Sequence, residues 1–280
     1  MLDLTLSHLT ISAPPIETID AAAEAGFGAV GIRLCGRRFQ DPYPVEVIGK
    51  PQASREIRAR LDANGIRLAS VNAFQFYPDV GWKELAPVID TACELSAPVI
   101  IANGFDDESR FVDLFARFCA SAGDAGIRVA LEFLPYSRVR TLQDAVRIVE
   151  RSGQASAGLL IDALHLDRSG GSTADLRGVS AERIVFAQLC DAMKLRVPLG
   201  DGDLMREARS ARLELGQGEL PLVDFIDALP EGLELEYEVV RADLADRPPI
   251  EKARAARIDA DNFMCSYRTR SHRNPGGSPN

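Results

Sequence analysis

The sequence predicts a (β/α)8 barrel, the TIM-barrel form of the α/β class, built as a single domain over residues 1–266. Three observations predict it. Short apolar runs of strand length alternate with stretches of helical spacing about eight times in one chain, the rhythm of parallel strands joined by helical crossovers. The length of 280 residues suits such a barrel as one unit. Finally, the runs at residues 127–132, 158–162, 184–188 and 233–238 each carry an oxygen-bearing side chain at the end. In a barrel the C-terminal ends of the strands face the active site. A doubly wound sheet shares the alternation but wants a phosphate-binding glycine loop after its first strand, and Ser7-His8-Leu9-Thr10 is not one.

Residues 4–9 read as the first strand. Pro14-Pro15 then open a helix over 16–25, which Gly26 closes, with proline at the start and glycine past the end as helices prefer. A second strand at 29–34 leads into a long irregular loop, 35–51. A helix over 53–63 stops at Asn64-Gly65, and a third strand, 67–73, runs into the aromatic loop Phe74-Gln75-Phe76-Tyr77-Pro78. The helix at 83–95 and strand at 99–102 follow. Apolar residues at 111, 112, 114, 115 and 118 give the helix over 108–125 one buried face. Strand five is expected at 127–133, a helix at 142–151, strand six at 157–161 and strand seven at 183–189. Residues 191–217 form the longest irregular excursion, with a helix at 204–210. A helix at 220–229, strand eight at 233–239 and a closing helix at 249–263 complete the barrel, and the polar, Gly/Pro-rich residues 267–280 read as a disordered tail.

Composition narrows the function classes. Hydrophobic residues at 46% and charged residues at 26% describe an ordinary globular chain. A net charge of −9 argues against a nucleic-acid surface. The five cysteines lack CxxC pairing, which suits reduced thiols and a cytoplasmic enzyme. No basic leader opens the chain and no apolar run reaches spanning length, so neither export nor a membrane is expected.

The four strand ends place Glu132, Asp162, Gln188 and Glu238 on consecutive strands. A charge at the inner end of a buried strand costs several kcal/mol unless it is paired or metal-bound. The plainer alternative for each is a salt bridge to an arginine at the barrel mouth. Together they form an all-oxygen set, which hard divalent ions such as Mn2+ and Mg2+ prefer, whereas zinc sites usually include His or Cys. Glu236 is the rival on the last strand, since period two puts it on the same side as Glu238. His165, three residues after Asp162, is a candidate base or acid because an unperturbed imidazole titrates near neutrality; the alternative is a core histidine orienting Asp162. Lys194, Arg209 and Arg212 in the excursion are candidates for gripping a substrate carboxylate, phosphate or hydroxyl.

These motifs resemble those of the xylose-isomerase-like barrels, the sugar phosphate isomerase/epimerase family. The residues carrying the likeness are Leu131-Glu132-Phe133, Ile161-Asp162-Ala163-Leu164-His165, Gln188-Leu189-Cys190-Asp191-Ala192, Leu215-Gly216-Gln217-Gly218-Glu219 and Glu236-Tyr237-Glu238-Val239. The resemblance implies one divalent metal held by Glu132, Asp162, Gln188 and Glu238. It favours Glu238 over Glu236, and it implies Glu132 and Glu238 as catalytic bases on opposite faces of the substrate. Sugar epimerases usually carry His where this chain has Gln188. Bacterial 3-dehydroshikimate dehydratases look similar at this point, with Gln before an Asp-Ala and a later Gly-Gln-Gly. A second departure is Arg138, near where ketose epimerases place a substrate-binding Glu. The expectation is a metal-dependent isomerase or epimerase of a sugar or cyclic polyol ketone acting through an enediolate, with a dehydratase-like lyase as the alternative and His165 as its base or acid. The expected partners are a small-molecule substrate and a second copy of the chain in a homodimer. A multi-zinc apurinic endonuclease is excluded because the chain holds only three histidines. A non-catalytic ligand-binding barrel would require that the oxygen set hold no metal.

Overall fold

The computed structural model describes residues 3–273. Eight parallel strands close into a barrel in sequence order, β1 pairing with β8 to shut it. In chain order the elements are β1 (Thr5–Leu6), α1 (His8–Ile11), α2 (Pro15–Ala25), β2 (Ala29–Arg33), α3 (Pro51–Asn64), β3 (Arg67–Phe76), α4 (Trp82–Glu94), β4 (Val99–Gly104) and α5 (Glu108–Asp124). The second half adds β5 (Arg128–Glu132), α6 (Leu142–Ser152), β6 (Ala157–Asp162), α7 (Ala163–Arg168), α8 (Thr173–Leu176), β7 (Ile184–Leu189), α9 (Asp201–Ser210), α10 (Leu222–Asp227), β8 (Glu234–Tyr237) and α11 (Pro249–Arg273).

Two cores result from strands buried on both faces. The larger lies between the strands and the helical ring, where Phe76 of β3 meets Phe111 and Phe118 of α5 edge to face at 5.4 and 5.5 Å. The smaller plugs the barrel itself with Ala29, Ala69, Val99, Ile101, Ala130, Leu160 and Phe186. Inward positions recur every second residue. Stepping upward from that plug therefore gives Ile101 then Asn103, Ala130 then Glu132, Leu160 then Asp162, and Phe186 then Gln188. An apolar floor with a polar layer above it is the frame of the site.

Several boundaries move from the sequence expectation, each for a local reason. β1 is only two residues long, because Ser7 caps a short helix, its Oγ accepting from the Leu9 amide. β3 runs through Phe76, so the expected aromatic loop is mostly strand: Phe74 and Phe76 are buried in the outer core. α7 follows β6 without a loop because the Asp162 side chain caps it. α11 continues past residue 263 to Arg273, into the segment read as tail, and residues 274–280 lie outside the described ones. Among the described residues no helix is long and apolar enough to cross a membrane.

Gly158 on β6 has no room for a side chain: a Cβ there would sit 2.7 Å from the Arg183 carbonyl oxygen and collide with Val185. Gly158→Ala is expected to cost about 1–3 kcal/mol, because a backbone carbonyl cannot yield as the end of a flexible side chain can. Gly200→Ala, with nothing within 4 Å of its Cβ, should stay within about 0.5 kcal/mol. Urea midpoints at unchanged m-value measure both.

Candidate active site

The polar layer is one buried network at the mouth. Glu132, Asp162, Gln188, Glu236 and Glu238 are all under 9% exposed. Asp162 accepts from the His165 amide at 2.9 Å through Oδ1 and from Arg212 at 2.6 Å through Oδ2. The other arm of Arg212 reaches Glu238 Oε2 at 2.9 Å, so one guanidinium bridges two strand-end carboxylates. Glu238 also accepts from Ser7 Oγ and Gln188 Nε2, each at 2.8 Å. Glu132 accepts from Asn103 Nδ2 at 2.7 Å, and His165 Nε2 stands 3.8 Å from its other oxygen.

The electrostatics follow from burial and crowding. Burial, aided by the charges of Glu238 and Asp162, pushes the Glu132 carboxyl up to about 8. Burial works against ionised Asp162 as well, but the Arg212 charge, His165 and the hydrogen bonds from both together outweigh it and hold that carboxyl low. Burial raises Glu236 well above the carboxylate range, with Glu238 adding to it. His165 is pushed down to about 4 by burial, so its imidazole is neutral at physiological pH and not the half-titrated group that its sequence suggests.

Glu132, Asp162 and His165 offer ligand atoms all within 4.8 Å of one another. Gln188 faces the same cleft, and its buried Oε1 has no hydrogen-bond partner. Three strand-end carboxylates share a single ion-paired arginine, which leaves two formal negative charges in excess. A donor-free amide oxygen beside uncompensated carboxylates fits a hard divalent cation. Glu238 is outside that trio, tied by Arg212, Ser7 and Gln188. Glu236 does not line the cleft and lies beneath it.

The substrate-side candidates divide. Arg209 lines the mouth, 5.9 Å over the Tyr136 ring, which in turn meets His165 edge-on. Arg212 is buried and committed to carboxylates, so it is not free to grip substrate. Lys194 is exposed and absent from the cleft, in a segment tethered where Glu219 accepts the Lys194 amide. Two arginines that sequence reasoning passed over take its place. Arg33, at the end of β2, is held by the neutral acceptors Cys35 O, Gly36 O and His8 Nε2. Arg37 follows it, pushed down to about 10 by burial and by the charges of Arg209 and Arg33. Among the described residues no carboxylate lies within ion-pair distance of Arg33, Arg37 or Arg209. The signal available was position: Arg33 closes a strand at its C-terminal end.

A family model described as xylose isomerase-like TIM barrel matches residues 19–257. The chain belongs to that family. A 3-dehydroshikimate dehydratase of Pseudomonas putida is 25% identical over 236 residues, covering 79% of this chain and 35% of its own length; the chain thus spans about a third of the curated relatives it matches. Among solved structures, an IolI protein with a bound zinc superposes at a TM-score of 0.78 with 19% identity, covering 95% of this chain and 99% of that one. A D-allulose 3-epimerase from Methylomonas, solved with D-allulose, gives 0.68 with 15% identity over 95% and 97% of the two chains.

In this xylose isomerase-like barrel the Gly-Gln-Gly motif has a structural task. Asp191 accepts from the amides of Gly216 and Gly218 at 2.9 Å each and of Leu220 at 3.1 Å, and no Cβ fits at Gly218. Arg168 grips Glu207 with two nitrogens, at 2.8 and 2.7 Å, pinning α9 to α7. The excursion is thereby folded back so that Arg212 enters the site. Arg212→Met should destabilise the metal-free protein by about 3–5 kcal/mol, since it strands two buried carboxylates. Denaturant titration measures it, and a loss under 1 kcal/mol would show that the bridge carries little.

Proposed function

We propose that the chain is a divalent-metal-dependent lyase that removes the proton beside the carbonyl of a small hydroxylated cyclic ketone and expels a β-hydroxyl as water. The observation that supports it best is the one-sidedness of the available bases. Glu132 and His165 stand 3.8 Å apart on the lining of the cleft, Glu132 with Asn103 as its donor, whereas Glu238, also on the lining, is tied by three donors. Epimerisation needs proton transfer on both faces; elimination needs one. The names of the dehydratase relatives agree with this reading.

Glu132, Asp162, Gln188 and Glu238 would hold the metal, Mn2+ or Mg2+ by the hardness of the set. Such an ion, when bound, supplies Lewis-acid polarisation of the substrate carbonyl. The protein supplies the proton path. Neutral His165 accepts the α-proton at Nε2, the C–H electrons become the new C=C, and the C–O bond breaks. The His165–Glu132 pair returns the proton to the departing hydroxyl. Arg33, Arg37 and Arg209, uncompensated at the mouth, favour a substrate with an acidic substituent. The second reading, an isomerase or epimerase of a sugar ketone, is favoured by the second carboxylate, Glu238, reaching the cleft from β8 and by the epimerase fold neighbours.

A panel of ketoses, inososes and 3-dehydroshikimate, run in deuterium oxide with Mn2+ or Mg2+, separates the readings. The lyase loses one water by mass from a carboxylated ring, an epimerase exchanges deuterium without losing water, and neither event on any member would contradict both. His165→Asn is expected to keep the metal, read by metal analysis, while turnover falls by about two to four orders of magnitude.

A further inference from the structure

Along β8 and its C-terminal edge the inward side chains are Glu234, Glu236 and then Glu238, an acid at every level. Glu234 at the bottom pairs with Arg67 at 2.9 Å, and Glu238 at the top belongs to the cleft. Glu236 between them lies at the level where neighbouring strands begin their polar layer, is 0% exposed, and has no cationic partner among the described residues. β2 makes room for it: a Cβ on Gly31 would occupy the place of Glu236 Oε1. A buried acid with a space cut for it has a use.

Among the described residues its one hydrogen-bond partner is Gln188. The Gln188 Nε2 group donates to Glu236 Oε2 at 2.7 Å and to Glu238 Oε1 at 2.8 Å. An amide nitrogen has two protons, so both are spent on carboxyl groups. In the opposite orientation the amide carbonyl oxygen would face the Glu236 and Glu238 oxygens that now accept from Gln188, and both N–H bonds would be lost. The amide oxygen is therefore turned away from β8 and left without a donor.

We propose that Glu236 is a positioning residue that locks the Gln188 amide with Oε1 toward the Glu132–Asp162 cleft, so that the site presents oxygen and not an NH2 group to a cation. The inference rests on the reading of Gln188 as a metal ligand. Outer partners of this kind typically change metal affinity ten- to a hundredfold when lost.

The test is Mn2+ affinity by calorimetry, with metal-free melting curves confirming the fold. Glu236→Met, which keeps the bulk and removes the acceptor, should weaken Mn2+ about ten- to a hundredfold. Glu236→Gln, whose amide oxygen still accepts, should stay within about threefold, and Glu236→Met should add nothing in a Gln188→Ala background. If Gln188→Ala binds Mn2+ like wild type, the ligand reading itself has failed. If Gln188→Ala weakens binding while Glu236→Met does not, or if the Met substitution costs the same in both backgrounds, the positioning role is overturned and the ligand reading stands. Side-chain amide NMR on metal-free wild type gives a readout that needs no variant at 236 to fold. The Gln188 NH2 pair, assigned by its loss in Gln188→Ala, should exchange slowly with solvent, and rapid exchange would overturn the proposal.

Discussion

The structure depends on holding like charges together out of water. Glu132, Asp162 and Glu238 approach one another at the strand ends, where repulsion and desolvation both oppose ionisation. Arg212 offsets two of them at once, and the excursion between β7 and β8 serves to deliver it. The Asp191 bonds to successive amides, the side-chain-free Gly218 and the Arg168–Glu207 fork all act upstream of that single guanidinium. What Arg212 leaves uncompensated is what a divalent ion would complete.

The same constraint explains the grading inside the barrel. A floor of Ile101, Ala130, Leu160 and Phe186 excludes water from below, so each charge above it is felt at full strength. His165 shows the consequence: burial strips it of its proton, leaving a neutral acceptor beside a carboxyl group that binds its own proton unusually well. Two residues that read in the sequence as an ordinary acid and an ordinary imidazole have exchanged their usual affinities.

Much of this was legible in the sequence because period and position are local. Apolar runs ending in Glu132, Asp162 and Gln188 announce inward residues at strand tops, and eight repeats of strand and helix announce closure. What stayed hidden depends on contacts far apart in the chain. Asn103 and Ser7 become partners of Glu132 and Glu238 only when strands pair across 29 and 231 positions. Lys194 and Arg212 sit in one irregular segment, and only the tethering of that segment sends one outward and the other into the core. Arg33 and Arg37 had the positional signal but no motif around them. The short helix from Ala163 was masked because its N-cap, Asp162, was read for its charge alone.

One divalent cation shared by these strand ends would complete the charge that Arg212 leaves. Anomalous diffraction from crystals soaked in Mn2+ tests it most directly. One strong peak is expected, bounded by Glu132, Asp162, Glu238 and the amide oxygen of Gln188. A peak touching fewer than three of them, or no peak at saturating Mn2+, would contradict it.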